Sequence, residues 1–330
     1  MLELGWYCPS EGDGHFLGTR TAERAPAFAY LAQVARAAEQ AGAGLMLVPT
    51  GAVNDSFAPD AAYAESWTTG SALAAVTSRL RLLVALNPAG TSVGLAAHQA
   101  ETLWEISGGR LAINLVAGGG PDDGYGHAPL GHADRYARLA ELAKALKARI
   151  PELPLYLGGA SADAVALAAA VADTYLVWGE PVAAVAHRAA AVRAAAGREI
   201  RIGLRIHIVA RPTSELAVDA ARQIVSRAQV RDDRADEYAA FDSVGQARMN
   251  ALAVDADEWV EPLLWAGIRA VRGGAGTALV GSYADVARRL GEYSAAGVDL
   301  VIASGYPHLE EVARVGGELW PRVEAGAANR

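Results

Sequence analysis

The sequence predicts an α/β chain closed into a (β/α)8 TIM barrel, with a long insertion before the last strand. Three observations point there. Short apolar runs alternate with longer segments of helical periodicity. The runs are apolar throughout, as in parallel strands covered by helices on both faces. The 330 residues, 52% of them hydrophobic, suffice for one large core, and no linker, low-complexity tract or solenoid repeat divides them. Repeated βα units over this length fit a closed barrel better than an open doubly wound sheet. One domain, 1–330, is expected.

Residues 4–7 form the first expected strand. A helix over 28–41 follows, because Tyr30, Leu31, Val34 and Ala37 share a face at helical spacing, and Gly42 and Gly44 end it. The second strand, 45–48, stops at Pro49. The third is 80–86, with a helix over 95–106. The fourth, 111–116, lies between Gly108-Gly109 and Gly118-Gly119-Gly120, and 135–148 is helical. Strands five and six are 155–157 and 174–177, with helices over 162–172 and 182–196. The seventh is 200–209 and the eighth 300–303. The segment 212–282 breaks the rhythm, being far longer than a normal βα connection. It holds the polar patch 231–237 and the turn-prone Arg272-Gly273-Gly274-Ala275-Gly276-Thr277. Such an insertion covers the active-site end, makes subunit contacts or is a solvated helical excursion.

The net charge of -8 argues against bulk attraction to nucleic acid or anionic membrane, though not against a local positive pocket. Cys8 is the only cysteine, so no intrachain disulfide can form and a reducing compartment is the simpler setting. The N-terminus lacks the pattern of a secretory signal, and the Ala/Val/Leu-rich stretches are broken before membrane-spanning length. A cytoplasmic protein is expected.

Polar residues cluster after the apolar runs. Glu11, Asp13 and His15 follow strand one. Arg205 and His207, two apart in strand seven, point to one face, and burying them is costly unless they are paired or meet a ligand. Tyr306-Pro307-His308 follows strand eight at the C-terminal barrel face. Together Arg205, Arg272, His207 and His308 can make a cationic pocket suited to a sulfonate, phosphate or carboxylate. The turn Gly158-Gly159-Ala160-Ser161 is either a phosphate seat at a helix start or an ordinary turn with Ser161 as N-cap. His132 and Tyr136, four apart, can share a helix face. The sequence contains no GxGxxG, P-loop, HExxH, CxxC or GxSxG motif and no convincing metal cluster.

These residues carry a family resemblance. The chain resembles the bacterial luciferase-like flavin monooxygenases, most closely the FMNH2-dependent alkanesulfonate monooxygenases. The matching stretches include Glu11-Gly12-Asp13-Gly14-His15, Pro49-Thr50-Gly51, Asn114-Leu115-Val116, His132-Ala133-Asp134-Arg135-Tyr136 and Arg205-Ile206-His207. Asp242-Ser243-Val244-Gly245-Gln246, Leu264-Trp265-Ala266-Gly267 and Ser304-Gly305-Tyr306-Pro307-His308 continue it. The resemblance implies the barrel, FMNH2 supplied by a separate NAD(P)H-dependent flavin reductase, a flavin–oxygen adduct as oxidant, and a homodimer or homotetramer. It places Trp178, Arg205, His207, Arg272, Tyr306 and His308 in the active site. The two arginines would neutralise sulfonate and flavin peroxide, His207 would stabilise or protonate the oxygenated species, and Tyr306 would orient substrate or donate a proton. Ala117, His132, Tyr136, Ala160 and Ser161 match flavin-contacting positions.

Several departures bear on the substrate. Glu11 stands where the family usually has a histidine, and no cysteine follows the Pro49-Thr50-Gly51 turn, which leads instead through Ala52-Val53-Asn54-Asp55 and a longer loop to Trp67. Glu11 and Trp67 are therefore substrate-pocket candidates, and Cys8 could approach the same space. The leading expectation is oxidation of a small organosulfonate to sulfite and an aldehyde. The alternatives are a flavin monooxygenase of an amine, sulfone, heterocycle or aldehyde, a non-catalytic flavin-binding protein and a deazaflavin-dependent dehydrogenase.

Overall fold

The computed structural model describes residues 2–51, 53–118, 130–229, 243–252, 254–255 and 257–328; Ala52, Gly119, Gly120, the patch 231–237 and Asp242 lie outside them. Seven parallel strands follow in order: β1 (Glu3–Tyr7), β2 (Leu45–Val48), β3 (Arg81–Leu86), β4 (Leu111–Leu115), β5 (Leu155–Gly158), β6 (Thr174–Trp178) and β7 (Arg201–Arg211). The eighth barrel strand is β11 (Leu300–Ser304), which pairs in parallel with both β7 and β1 and closes the ring. The eight expected strands are all present, and the seventh runs on to Arg211.

Register decides what fills the barrel. Tyr7, Leu45, Leu47, Leu83, Ala112, Tyr156, Leu176, Leu300 and Ile302 pack together inside it. The alternate residues, among them Leu4, Trp6, Cys8, Met46, Val48, Leu82 and Val84, pack against the helices. Gly203 shares the inward register of β7, where a Cβ would come within 2.5 Å of the Leu176 side chain. The glycine therefore makes room for Leu176 in a close-packed interior.

The outer layer holds α1 (Phe28–Gln40), α2 (Ser66–Ala74), α3 (Val93–Ser107), α4 (His132–Arg149), α5 (Ala162–Val171) and α6 (Val182–Ala196). After β7 come α7 (Ser214–Val225) and α8 (Val244–Asn250). The insertion adds a hairpin of β8 (Trp259–Glu261) and β9 (Leu264–Trp265), then β10 (Ala278–Ser282). α9 (Tyr283–Ala295) crosses back to β11, and α10 (His308–Arg314) and α11 (Trp320–Ala328) complete the chain.

The insertion expected over 212–282 is present, but its end belongs to the sheet: β10 pairs in parallel with the second half of β7. In β7 the odd-numbered Arg201 and Arg205 bond toward β6, and Ile202 bonds toward β11. His207 N–H donates to Thr277 O, so β10 takes over the side of β7 where β6 stops.

Candidate active site

A cavity of about 210 Å³ opens at the C-terminal mouth of the barrel. Tyr7 at the end of β1, Leu47 on β2, Trp178 at the end of β6 and Arg205 on β7 form its floor and one side. Glu11, Asp55 and Tyr63 come from the loops after β1 and β2, and Arg272, Gly273, Gly274 and Ala275 come from the insertion.

Two buried guanidinium groups meet there. Arg205 stacks over the Tyr7 ring at 4.3 Å and donates through Nη1 to Ile206 O at 3.0 Å. Burial, then the neighbouring Arg272, lower its pKa to about 10, so it stays charged at neutral pH. Arg272 donates to Tyr306 Oη at 3.2 Å, to Tyr7 Oη at 3.5 Å and to Glu11 Oε1 at 3.4 Å. Burial works against the Arg272 charge, but Glu11 and the two phenols outweigh it and hold the pKa well above the usual arginine range. The Glu11 carboxylate also accepts from the Ser56 hydroxyl, and Asn54 Nδ2 donates to Glu11 O at 2.7 Å. The remodelled loop after Gly51 thus holds Glu11 in place.

His207 has both ring nitrogens engaged: Nε2 meets Ala275 O at 2.8 Å and Nδ1 meets Ser304 Oγ at 2.7 Å. A carbonyl can only accept, so Nε2 carries the proton and Nδ1 accepts from the serine. Burial, reinforced by Arg205 and Arg272, pushes the pKa of His207 well below the usual value, so the ring is neutral. It stacks against Tyr306 with centroids 5.6 Å apart. In this geometry His207 holds the Ala275 segment against β7 and β11. Thr277 Oγ1 adds a bond to Gly179 O at 2.7 Å, and Gln246 Oε1 on α8 accepts from Gly274 N at 2.9 Å. His308 opens α10 with its ring edge-on to Trp6 and Tyr306.

A second constellation lies at the ends of β4 and β5. Ser161 Oγ caps α5 by accepting from Ala164 N at 3.1 Å, and its hydroxyl donates to Tyr136 Oη at 3.2 Å. His132 and Tyr136 share a face of α4, with rings 5.0 Å apart, and His132 Nε2 contacts Asp163 at 3.0 Å. Gly159 has φ 144°, and a Cβ there would strike Ala164, so only glycine brings the backbone this close to the start of α5. The first-turn amides of α5, with two hydroxyls beside them, suit a phosphate. Ala160 lies within this turn and Ala117 follows β4. Asn114 shares the inward register of Ala112, and its Oδ1 is buried without a hydrogen-bond partner among the described residues, as is Nε of Arg272. These atoms, together with the phosphate seat, fit a polar heterocycle bearing a phosphate.

Three expectations need correction. His207 and His308 are kept neutral by burial, then by Arg205 and Arg272, and neither lines the cavity, so of the four residues expected to make it cationic only the two arginines do. Trp67 lies on α2, partly buried against the barrel–helix core, and does not line the cavity. Cys8 occupies the outward register of β1, since Tyr7 takes the inward one; burial pushes its thiol up to about 12. Sequence reasoning missed Tyr7 and Tyr63, set in an apolar run and a loop without a motif around them, and gave Asn114 and Ser304 no role although both stand in stretches that carry the resemblance.

The sequence matches the profile of the family described as luciferase-like monooxygenase over residues 2–152 and 147–300. The chain belongs to the luciferase-like monooxygenase family. Solved structures with the same architecture include riboflavin lyase (RcaE) with modified FMN and riboflavin. That enzyme is 16% identical, with a TM-score of 0.79 over 99% of this chain and 92% of the other. EDTA monooxygenase (EmoA) from Chelativorans sp. BNC1 is 14% identical, with a TM-score of 0.73 over 99% and 94%. The oxygenating constituent of 3,6-diketocamphane monooxygenase from Pseudomonas putida, a type II Baeyer-Villiger monooxygenase in complex with FMN, is 15% identical, with a TM-score of 0.70 over 98% and 99%. At these identities the likeness is one of fold. Among the described residues of this luciferase-like monooxygenase, no helix is long and apolar enough to cross a membrane.

Proposed function

We propose that this luciferase-like monooxygenase uses FMNH2 and dioxygen to oxidise a small organosulfonate, releasing sulfite and an aldehyde. The observation that carries the reading is Arg205. It is 5% exposed, lines the cavity, and among the described residues donates to a backbone carbonyl and to no carboxylate. A buried cation in that position calls for an anion. Glu11 is already engaged by Arg272 and Ser56, so an amine substrate would compete with both for its carboxylate.

Ala117, His132, Tyr136, Ala160 and Ser161 would hold FMN, with its phosphate against the first turn of α5. The modified FMN of the riboflavin lyase structure and the FMN of the camphane monooxygenase structure support this cofactor. Reduced FMN, when bound, supplies the two electrons that let one oxygen atom enter the substrate while the other leaves as water. A separate NAD(P)H-dependent reductase provides it, and the enzyme acts as a homo-oligomer.

Arg205 and Arg272 bind and orient the sulfonate. Burial raises the Tyr306 pKa, so its hydroxyl keeps its proton at neutral pH beside Arg272 and is a candidate donor. His207 and Gln246 hold the segment 272–277 over the cavity, which excludes water. The test is sulfite release from a sulfonate panel supplied with reductase, FMN, NAD(P)H and oxygen. At least one sulfonate is expected to yield sulfite. Oxidation of some other compound with no sulfite from any sulfonate would overturn the substrate assignment.

A further inference from the structure

Asp13 is fully buried beside the active site without touching the cavity. Its Oδ2 accepts from His308 N at 2.7 Å and from the Tyr30 hydroxyl, and its Oδ1 accepts from Gly14 N at 2.8 Å. The His308 bond spans 295 positions of sequence. It matters because Pro307, the residue before α10, gives no side-chain cap. Asp13 therefore caps α10 from the other end of the chain. A second clamp runs alongside: Arg24 binds both oxygens of Glu310, at 2.8 and 2.5 Å, and donates to Tyr30 Oη at 3.3 Å. The Arg24 backbone also bridges Asp13 in both directions.

We propose that Asp13 is a positioning residue. Its carboxylate anchors the first turn of α10 and so holds His308 and, through it, Tyr306 against Arg272, which lines the cavity. The chain of contacts is short. The His308 ring packs edge-on to Tyr306 at 5.1 Å, and the Tyr306 hydroxyl accepts from Arg272. Displacing His308 therefore displaces the phenol that helps fix Arg272. This role rests on reading the cavity as the active site.

The anchor titrates in a useful range. Burial raises the Asp13 pKa to about 6, against the bonds from Tyr30, Gly14 and His308 and the charge of Arg24. The other groups around it do not change charge there. Tyr30 and Tyr306 have raised pKa values, chiefly from burial. His308 stays neutral because burial, then Arg205 and Arg272, push its pKa well below the usual value. Glu310 is held below the usual range by its bond from Arg24. When Asp13 takes a proton it becomes a weaker acceptor for three donors, and the first turn of α10 loosens.

The test combines hydrogen exchange of the segment 305–314, corrected for intrinsic rates, with the rate of FMNH2 oxidation on the enzyme between pH 5 and 8. The second readout needs no identified substrate. In the wild type, protection and rate should rise together through about pH 6, by roughly tenfold. Asp13→Asn should flatten both profiles at the low level with FMN affinity retained. Tyr30→Phe removes a donor to the carboxylate, so it should move both midpoints to higher pH. A wild-type profile in Asp13→Asn, or unmoved midpoints in Tyr30→Phe, overturns the proposal. A switch in protection without one in rate reduces Asp13 to a helix cap and also overturns it. If Asp13→Asn does not fold, Tyr30→Phe decides. A wild type that does not oxidise bound FMNH2 at any pH sinks the functional reading instead, and exchange alone then decides whether the anchor exists.

Discussion

Glu11 reaches Arg272 at 3.4 Å where both side chains are nearly out of water, 8% and 7% exposed. Removing one member of such a pair leaves the other as an uncompensated buried charge, which costs about 3–5 kcal/mol in comparable sites. Glu11→Gln should therefore lower the melting temperature, and added methanesulfonate should restore more of it in the variant than in the wild type. A thermal melt with and without the anion checks this; equal effects on both proteins would contradict it. Asp13 has the opposite sign. Its pKa is about 6 in the folded chain and near 3.8 unfolded, so its contribution to stability is present below about pH 4 and lost as pH rises through 6. The difference is about 3 kcal/mol. Urea unfolding should show the stability of wild type relative to Asp13→Asn falling by about that amount between pH 4 and 7. The charged form that the site uses is thus the one that folding disfavours.

At the scale of elements, the start of α5 and the α8–insertion contact make separable predictions. Ser161→Ala removes a cap worth about 1 kcal/mol. If the proposed FMN seat is right it also removes a phosphate ligand, so FMN should bind severalfold more weakly while riboflavin, which lacks the phosphate, is little affected. Titration of both flavins checks the distinction. Gln246→Ala frees Gly274 and should raise the peroxide released per FMNH2 consumed, measured with a peroxide-coupled assay. The strands are legible in the sequence because each is an apolar run between turn residues. α2 is not, because Ser66, Thr68, Thr69, Gly70 and Ser71 leave it no apolar stripe. β10 hides behind the glycines of 273–276. Arg205, His207 and Arg272 stand out as polar residues in apolar or glycine-rich surroundings. Tyr7 and Ser304 do not, since in a strand they read as core. Cys8 and Trp67 show the remaining limit. Sequence places them near the mouth of the barrel, but only register and helix docking decide which way they face.

For the whole molecule, the packing of the barrel interior sets what the mouth can tolerate. Gly203 leaves room for Leu176, and a methyl there would force side chains off their rotamers. Gly203→Ala should cost about 1–3 kcal/mol by urea unfolding, with no need for a change in cofactor affinity. The insertion behaves differently from a flap hung on a rigid frame. β10 lies along the far half of β7, the strand that carries Arg205 and His207, and His207 bonds to Ala275 O in the same segment. Anyone exchanging parts between relatives to alter substrate choice should therefore treat β7 and residues 264–282 as one cassette. A graft of the glycine-rich turn alone would bring a new arginine but leave the donor strand's hydrogen bonds behind.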